Sequence, residues 1–357
     1  MTNSSTRKQT GLSTGEHLST GVRPYLGVGL GVTISSTAAI LIRLAQAEAP
    51  SLVIAAWRLM LATLILAPVT LVLRRSELRA LTRPGTGGRA WVSALASGLL
   101  LAIHFATWIT SLRLTTVATS AVLVETNPFF VAVLSYLFLR ERPSRTTVVG
   151  IVLAIAGSVG ITVGDLRGGP LVAFGGQALL GDLLALVGGL MAAIYFLLGR
   201  RLRQRLSVVA YIWPVYTVAA VVLLAVCLLT GQRLAGYAPP TYLMILLLAL
   251  GPQLLGHSSL NYALGQLSAT LVTVAALGEP IGSALLALLL LGEAPPLLTL
   301  GGGVLILAGI ALTTIGESAR RGTGRRGERE TRGQGDGETG GGEDGARASM
   351  QILHDLF

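Results

Sequence analysis

Two carboxylates and one guanidinium stand in this chain where lipid would make charge expensive. Glu125 lies about ten residues into one apolar run and Glu279 about eleven into another, roughly 15 Å deep at about 1.5 Å of helical rise per residue. Arg58 lies about six residues into a third run, roughly 9 Å from its end. Such groups cost about 2.5–3.5 kcal/mol each on insertion scales, so they are kept where they face a cavity or a partner. The carboxylates could hold a cationic group or a proton, and Arg58 a carboxylate. The competing structural reading bonds each carboxyl to a nearby hydroxyl or histidine, and lets Arg58 snorkel to the surface or pair with an internal glutamate. His104 and His257, deep in two further runs, could relay protons because imidazole titrates near neutrality. A neutral histidine bonded between helices is the alternative. Trp57, Trp108, Tyr195, Trp213, Tyr216, Asn261 and Tyr262 could wall a solute site, or serve only as packing and interface anchors. No His-x3-His or His-Glu-x-x-His spacing occurs and Cys227 is the single cysteine, so neither a metal site nor a disulfide is expected. Gly27-x-Gly29-x-Gly31 lies inside an apolar run with no strand before it, so it is not a dinucleotide fingerprint. No phosphate-binding loop is present either, which argues against an ATP-driven pump. No cofactor is expected. A membrane-embedded enzyme would need a second acid/base group at a recognisable spacing, and the sequence offers none.

The elements that must hold these groups follow from composition. The chain is 52% hydrophobic and 12% charged, with a mean hydropathy of +0.69. Soluble domains carry about 25% charged residues, so this is a polytopic membrane protein. Its net charge of +10 reflects arginine in loops and tail, with no nucleic-acid partner implied. Hydropathy predicts ten spans, at 24–44, 52–73, 90–112, 115–139, 146–164, 181–199, 208–230, 241–264, 268–291 and 297–316. Lipid forbids unpaired backbone and strand-like alternation is absent, so all are helices. The tightest joints fall at 113–114 and 265–267. The polar N-terminal stretch has no signal-peptide core, so the first run is expected to act as its own insertion signal. With ten spans, twenty-two Lys and Arg fall on the side of both termini and four on the other. The positive-inside rule then makes both termini cytoplasmic.

The chain also repeats itself. Pro128, Glu141, Gly150 and Gly157 recur as Pro280, Glu293, Gly302 and Gly309, at a constant offset of 152. Two halves of five spans follow, and an odd number inserts the second half upside down. The fold class is all-α integral membrane: ten transmembrane helices as two inverted five-helix repeats, a recurring plan of secondary transporters. The expected divisions are a cytoplasmic segment at 1–23, a first repeat at 24–164, a Gly-rich connector at 165–180, a second repeat at 181–316, and a disordered basic, Gly-rich tail at 317–357. Within the duplication Asn127, not Glu125, matches Glu279. Pro128 and Pro280 each remove a backbone hydrogen bond mid-span, which fits hinges or plain packing kinks. Pro68, Pro214 and Pro252 are expected to kink their own spans. Glu141 and Glu293, at span ends, are read as caps or cross-helix salt bridges. The tail's arginines could touch anionic lipid, and a non-transporting partner using that tail as an arm is the rival to transport.

The two Pro-x12-Glu-x8-Gly-x6-Gly blocks, with LFLRER at 137–142 and LLLLGE at 288–293, resemble the signature of EamA-type transporters of the drug/metabolite transporter superfamily. IAAWRLMLA at 54–62 resembles that family's second span, with Arg58 at its usual arginine, and residues 115–142 read like its third-to-fourth hairpin. The resemblance covers residues 24 to 316 and implies two EamA repeats moving a small metabolite across the plasma (inner) membrane. Exporters of amino acids and related solutes are prominent in that family. The solute site is then expected at the midplane around Glu125, Asn127, Glu279 and Arg58, with a coupled proton as an expected partner beside the solute and the bilayer. The long tail, and Glu125 three residues before the first-repeat proline, depart from the family's pattern.

Overall fold

The computed structural model describes residues 14–81, 86–115, 120, 123–140, 142–167, 176–291 and 297–332. Every element among them is helical. The first half supplies α1 (Thr14–Ser35), α2 (Ala38–Ala45), α3 (Ser51–Leu73), α4 (Arg75–Leu81), α5 (Thr86–Leu114), α6 (Asn127–Leu139) and α7 (Arg145–Arg167). The second supplies α8 (Gly176–Arg203), α9 (Val208–Leu229), α10 (Pro239–Leu248), a π-helical stretch (Ala249–His257), α11 (Ser258–Leu264), α12 (Ala269–Ala276), α13 (Glu279–Leu291) and α14 (Leu297–Arg332). Among the described residues, seven helical stretches are long and apolar enough to cross a membrane, and three shorter apolar helices cover Asn127–Phe138, Arg145–Gly160 and Ala269–Gly282. Leu64, Val72, Leu137, Phe138, Leu229, Leu289 and Val304 point outward. Such a surface is stable only against lipid.

Three expectations are corrected. The fourth and ninth spans are not single helices. In the ninth, α12 stops at Ala276, Leu277 and Gly278 form a turn, and α13 begins anew. In the fourth, Glu125 and Thr126 make the turn at the matching place before α6. Pro128 and Pro280 therefore stand in the first turn of a new helix, not in the interior of an old one. A missing N–H costs nothing there, because that group has no intrahelical acceptor anyway. Second, α14 continues to Arg332, so the first part of the segment expected to be disordered is helical; residues 333–357, Glu141, Glu293 and 168–175 of the connector lie outside the described residues. Third, Arg113 and Leu114 close α5 instead of forming a joint, whereas Gly265–Leu267 do turn between α11 and α12. Pro68 and Pro214 lie inside α3 and α9 as expected, and Pro252 lies in the π-helical stretch.

Packing respects the duplication. The second span (α3) packs on the seventh (α9), and the fifth (α7) on the tenth (α14). The third (α5) packs on the sixth (α8), as the eighth (the π stretch and α11) packs on the first (α1). Exchanging each span for the one five places on leaves this pattern unchanged. The α7–α14 seam is made by the repeated glycines themselves. A Cβ on Gly309 would lie 2.5 Å from the Gly150 oxygen, and one on Gly157 would lie 2.5 Å from the Gly302 oxygen. Residue numbers rise along one helix as they fall along the other, so α7 and α14 run antiparallel. Small residues are what let two helix backbones approach this closely in lipid.

Carboxylates tie the halves together outside the spans. Glu77 accepts the Ser207 N–H (2.8 Å), whose residue caps α9. Glu48 accepts the Thr241 hydroxyl (2.7 Å) and the Ala238 N–H (2.9 Å) at the start of α10. Those two donors, the hydroxyl first, hold the Glu48 carboxyl below the usual glutamate range. A depressed pKa stabilises the fold above the ordinary value of about 4.3, and that contribution is lost as pH falls through the folded-state value. The melting temperature of wild type should therefore exceed that of Glu48→Gln at neutral pH, and the gap should close below about pH 4. A gap independent of pH would mean that the charge of Glu48 contributes nothing to the tie.

Candidate functional site

The apolar faces of α3, α5 and α9 meet along one seam, and Arg58 is carried into it from the second turn of α3, completely enclosed. Its Nε donates to Gln253 Oε1 at 2.7 Å, and its guanidinium carbon sits 4.4 Å from the centre of the Phe105 ring. The ring's negative face compensates part of the buried charge. Nη1 and Nη2 have no hydrogen-bonding partner. Arg58 did not snorkel. Among the described residues it forms no ion pair either, although Glu279 is an electrostatic neighbour.

His104 and His257 flank the same place. His104 Nδ1 donates to the Gly188 carbonyl at 2.9 Å, since a carbonyl oxygen can only accept. Its ring stacks on Trp108, with centroids 5.9 Å apart and planes 14° from parallel. His257 meets Phe105 edge to face at 5.4 Å, and its Nδ1 is enclosed without a partner. Both histidines are electrostatic neighbours of Arg58.

The two helix breaks bring in the acids. Glu125 occupies the turn before α6, and Glu279 is the first residue of α13; the two are electrostatic neighbours of each other. Both are half-buried, as is Asn127, whose side-chain oxygen is enclosed without a partner. Ser158 on α7 donates to Glu125 Oε2 at 2.5 Å. The hydroxyl partner expected if Glu125 only packs thus exists, and the side chain is only partly covered by the rest of the chain. Arg58, His104, His257, Glu125 and Glu279 form one electrostatically connected group drawn from both halves of the chain.

Tyr195, Tyr216 and Asn261 stand differently. They are fully enclosed, and Asn261 Nδ2 donates to Tyr195 Oη (2.6 Å) and to the His257 carbonyl (2.7 Å). With the Ser97–Tyr211 bond (2.8 Å) they make a polar band behind the charged group instead of an open wall. Trp57 reaches away, its Nε1 donating to the Leu234 carbonyl at 2.9 Å. Gln253 is the residue that the sequence reading passed over. It is the one amide in the apolar stretch between Thr241 and Gly256, and that isolation was the available signal. The π-helical turn that aims it was also legible in outline: Pro252 lacks an N–H and its ring displaces the carbonyl four residues back, which favours a widened turn.

A profile of the EamA-like transporter family matches residues 23–163 and 179–315, one match on each half of the chain. The chain belongs to the EamA-like transporter family. It is accordingly a multi-pass membrane transporter with the two-repeat EamA architecture. An uncharacterized transporter of Archaeoglobus fulgidus is 27% identical over 66% of this chain and 80% of its own length. The uncharacterized transporter YdfC of Bacillus subtilis is 25% identical over 54% of this chain and 61% of its own. One protein of known crystal structure, 20% identical, shares the fold with a TM-score of 0.66 over 83% of this chain and 98% of that one. In this EamA chain the matched segments contain every residue of the charged group.

Proposed function

We propose that this protein is a secondary transporter of the plasma membrane that exports a small metabolite, an amino acid or related solute, by alternating access. In this reading ten helices form two inverted five-helix repeats, with both termini cytoplasmic. The observation that carries it is the pair of helix breaks at 125–126 and 277–278, equivalent under the offset of 152, which set Glu279 beside Arg58 and Glu125 beside Glu279. Broken spans with ionisable groups near mid-membrane are how inverted-repeat transporters build a solute site. The antiparallel α7–α14 seam supports the inversion, since duplicated helices crossing in opposite directions belong to oppositely inserted repeats. The prolines that start α6 and α13 leave the two turns free to act as hinges between rigid helical pieces. Glu125 or Glu279 carries the coupled proton; Arg58, His104, Trp108, His257 and Asn127 contact the solute, with Tyr195, Tyr216 and Asn261 positioning them. Export rather than uptake is supported by the family resemblance alone.

Everted vesicles with and without the protein, screened against amino acids and related solutes while the pH gradient is varied, test this reading. The expected result is accumulation of one solute class that collapses when a protonophore removes the gradient. A screen in which no solute moves faster than the leak of protein-free vesicles would overturn it.

A further inference from the structure

We infer that Arg58 and Gln253 together form a clamp for a single carboxylate, and that the solute carries that carboxylate into it. The inference deepens the transport reading above and rests on it. Gln253 Oε1 accepts from Arg58 Nε, which fixes which way the amide faces: its Nε2 must be the free end. That nitrogen is enclosed and completes no hydrogen bond, although the Tyr216 hydroxyl is a neighbour of the Gln253 side chain; Arg58 Nη1 and Nη2 likewise have none. Three donor groups on two neighbouring side chains, both fully buried, thus complete no hydrogen bond to the protein. Every one is a donor, and two of them carry the guanidinium's positive charge, which favours an anion over a neutral acceptor.

The shape narrows the choice. Phe105 covers one face of the guanidinium and Gln253 takes its Nε, so a ligand meets the end-on pair of Nη1 and Nη2. That fork matches the two oxygens of a carboxylate and binds them in parallel. Charge narrows it further. One cation stands near two acidic side chains, Glu279 next to it and Glu125 next to Glu279. The single guanidinium neutralises a monoanion, whereas a dianion such as a phosphate ester would keep an uncompensated charge beside those acids. Glu279 itself stays beyond salt-bridge distance of Arg58, as does every other acid among the described residues. Gln253 and His257 also lie in the π-helical stretch, and such widened turns are frequent at functional sites.

Purified full-length protein in lipid nanodiscs, challenged with L-leucine, L-phenylalanine, 3-phenylpropionate and the methyl ester of each at about 10 mM, tests the clamp by thermal shift. At least one free acid should stabilise the protein while its ester does not. Gln253→Glu places a carboxylate against Arg58 from inside; it should melt no lower than wild type and weaken the same acid by about tenfold or more. Arg58→Lys should weaken it similarly, since an ammonium cannot offer the fork. Equal stabilisation by acid and ester, unchanged affinity in Gln253→Glu, or no stabilisation by any acid would overturn the clamp. Vesicle flux separates the two claims. A solute without a carboxylate that is carried as well by Gln253→Glu as by wild type removes the clamp and leaves transport standing.

Discussion

Gly157→Leu is expected to remove nearly all folded protein from the membrane. A Cβ at that position would lie 2.5 Å from the Gly302 oxygen and 2.8 Å from the Ile306 nitrogen, and both are backbone atoms of the facing helix. Overpacking typically costs about 1–3 kcal/mol where side chains can yield. Backbone cannot yield without parting α7 from α14, so the cost here exceeds that range. Gly301→Leu on the same helix pair is the control, because a Cβ there meets nothing within 4 Å. Size-exclusion profiles of solubilised protein decide it: wild-type recovery for Gly301→Leu and a lost monodisperse peak for Gly157→Leu. A normal peak for Gly157→Leu would mean that the glycine seam is not what holds these spans together.

The second large effect is predicted at Glu125. Glu125→Gln retains an oxygen that can accept from the Ser158 hydroxyl, now 2.5 Å from the carboxylate, while removing the ionisable group. If the side chain only packs, flux and stability both survive. If it carries a proton, flux should fall by about a hundredfold, within the range over which positioned proton carriers act, while expression and melting temperature hold. Reconstituted vesicles preloaded with the solute from the screen measure it. Undiminished flux in Glu125→Gln would leave Glu125 as a helix-packing group, with Glu279 the remaining carrier.

Much of the architecture could be read because it is written twice. The offset of 152 placed Pro128 against Pro280 and Gly150 against Gly302, and those glycines make the seam between the fifth and tenth spans. The charged group was legible for a different reason. Charge is so costly in lipid that Arg58, Glu125 and Glu279 stand out against apolar sequence. What hydropathy could not give was continuity. A span broken by a two-residue turn is as apolar as an unbroken one, so Leu277 and Gly278 left no mark, and Pro280 read as a kink when it begins a helix. Gln253 escaped for a related reason: an uncharged amide hardly lowers the hydropathy of a run, yet a buried amide is as demanding of partners as any polar group. The reach of α14 to Arg332 was hidden by glycine and charge, which argue for disorder when counted but do not prevent a long helix from running on.

Alternating access of the proposed kind requires the two repeats to enter the membrane in opposite senses. Arg113 and Gln266 are both exposed and sit one residue from equivalence under the offset. With the buried Cys227 replaced by serine, Arg113→Cys and Gln266→Cys can each be labelled by a membrane-impermeant maleimide in intact cells and in everted vesicles. Opposite insertion predicts that Arg113→Cys reacts from outside only and Gln266→Cys from the cytoplasmic side only. Reaction of both from the same side would contradict it.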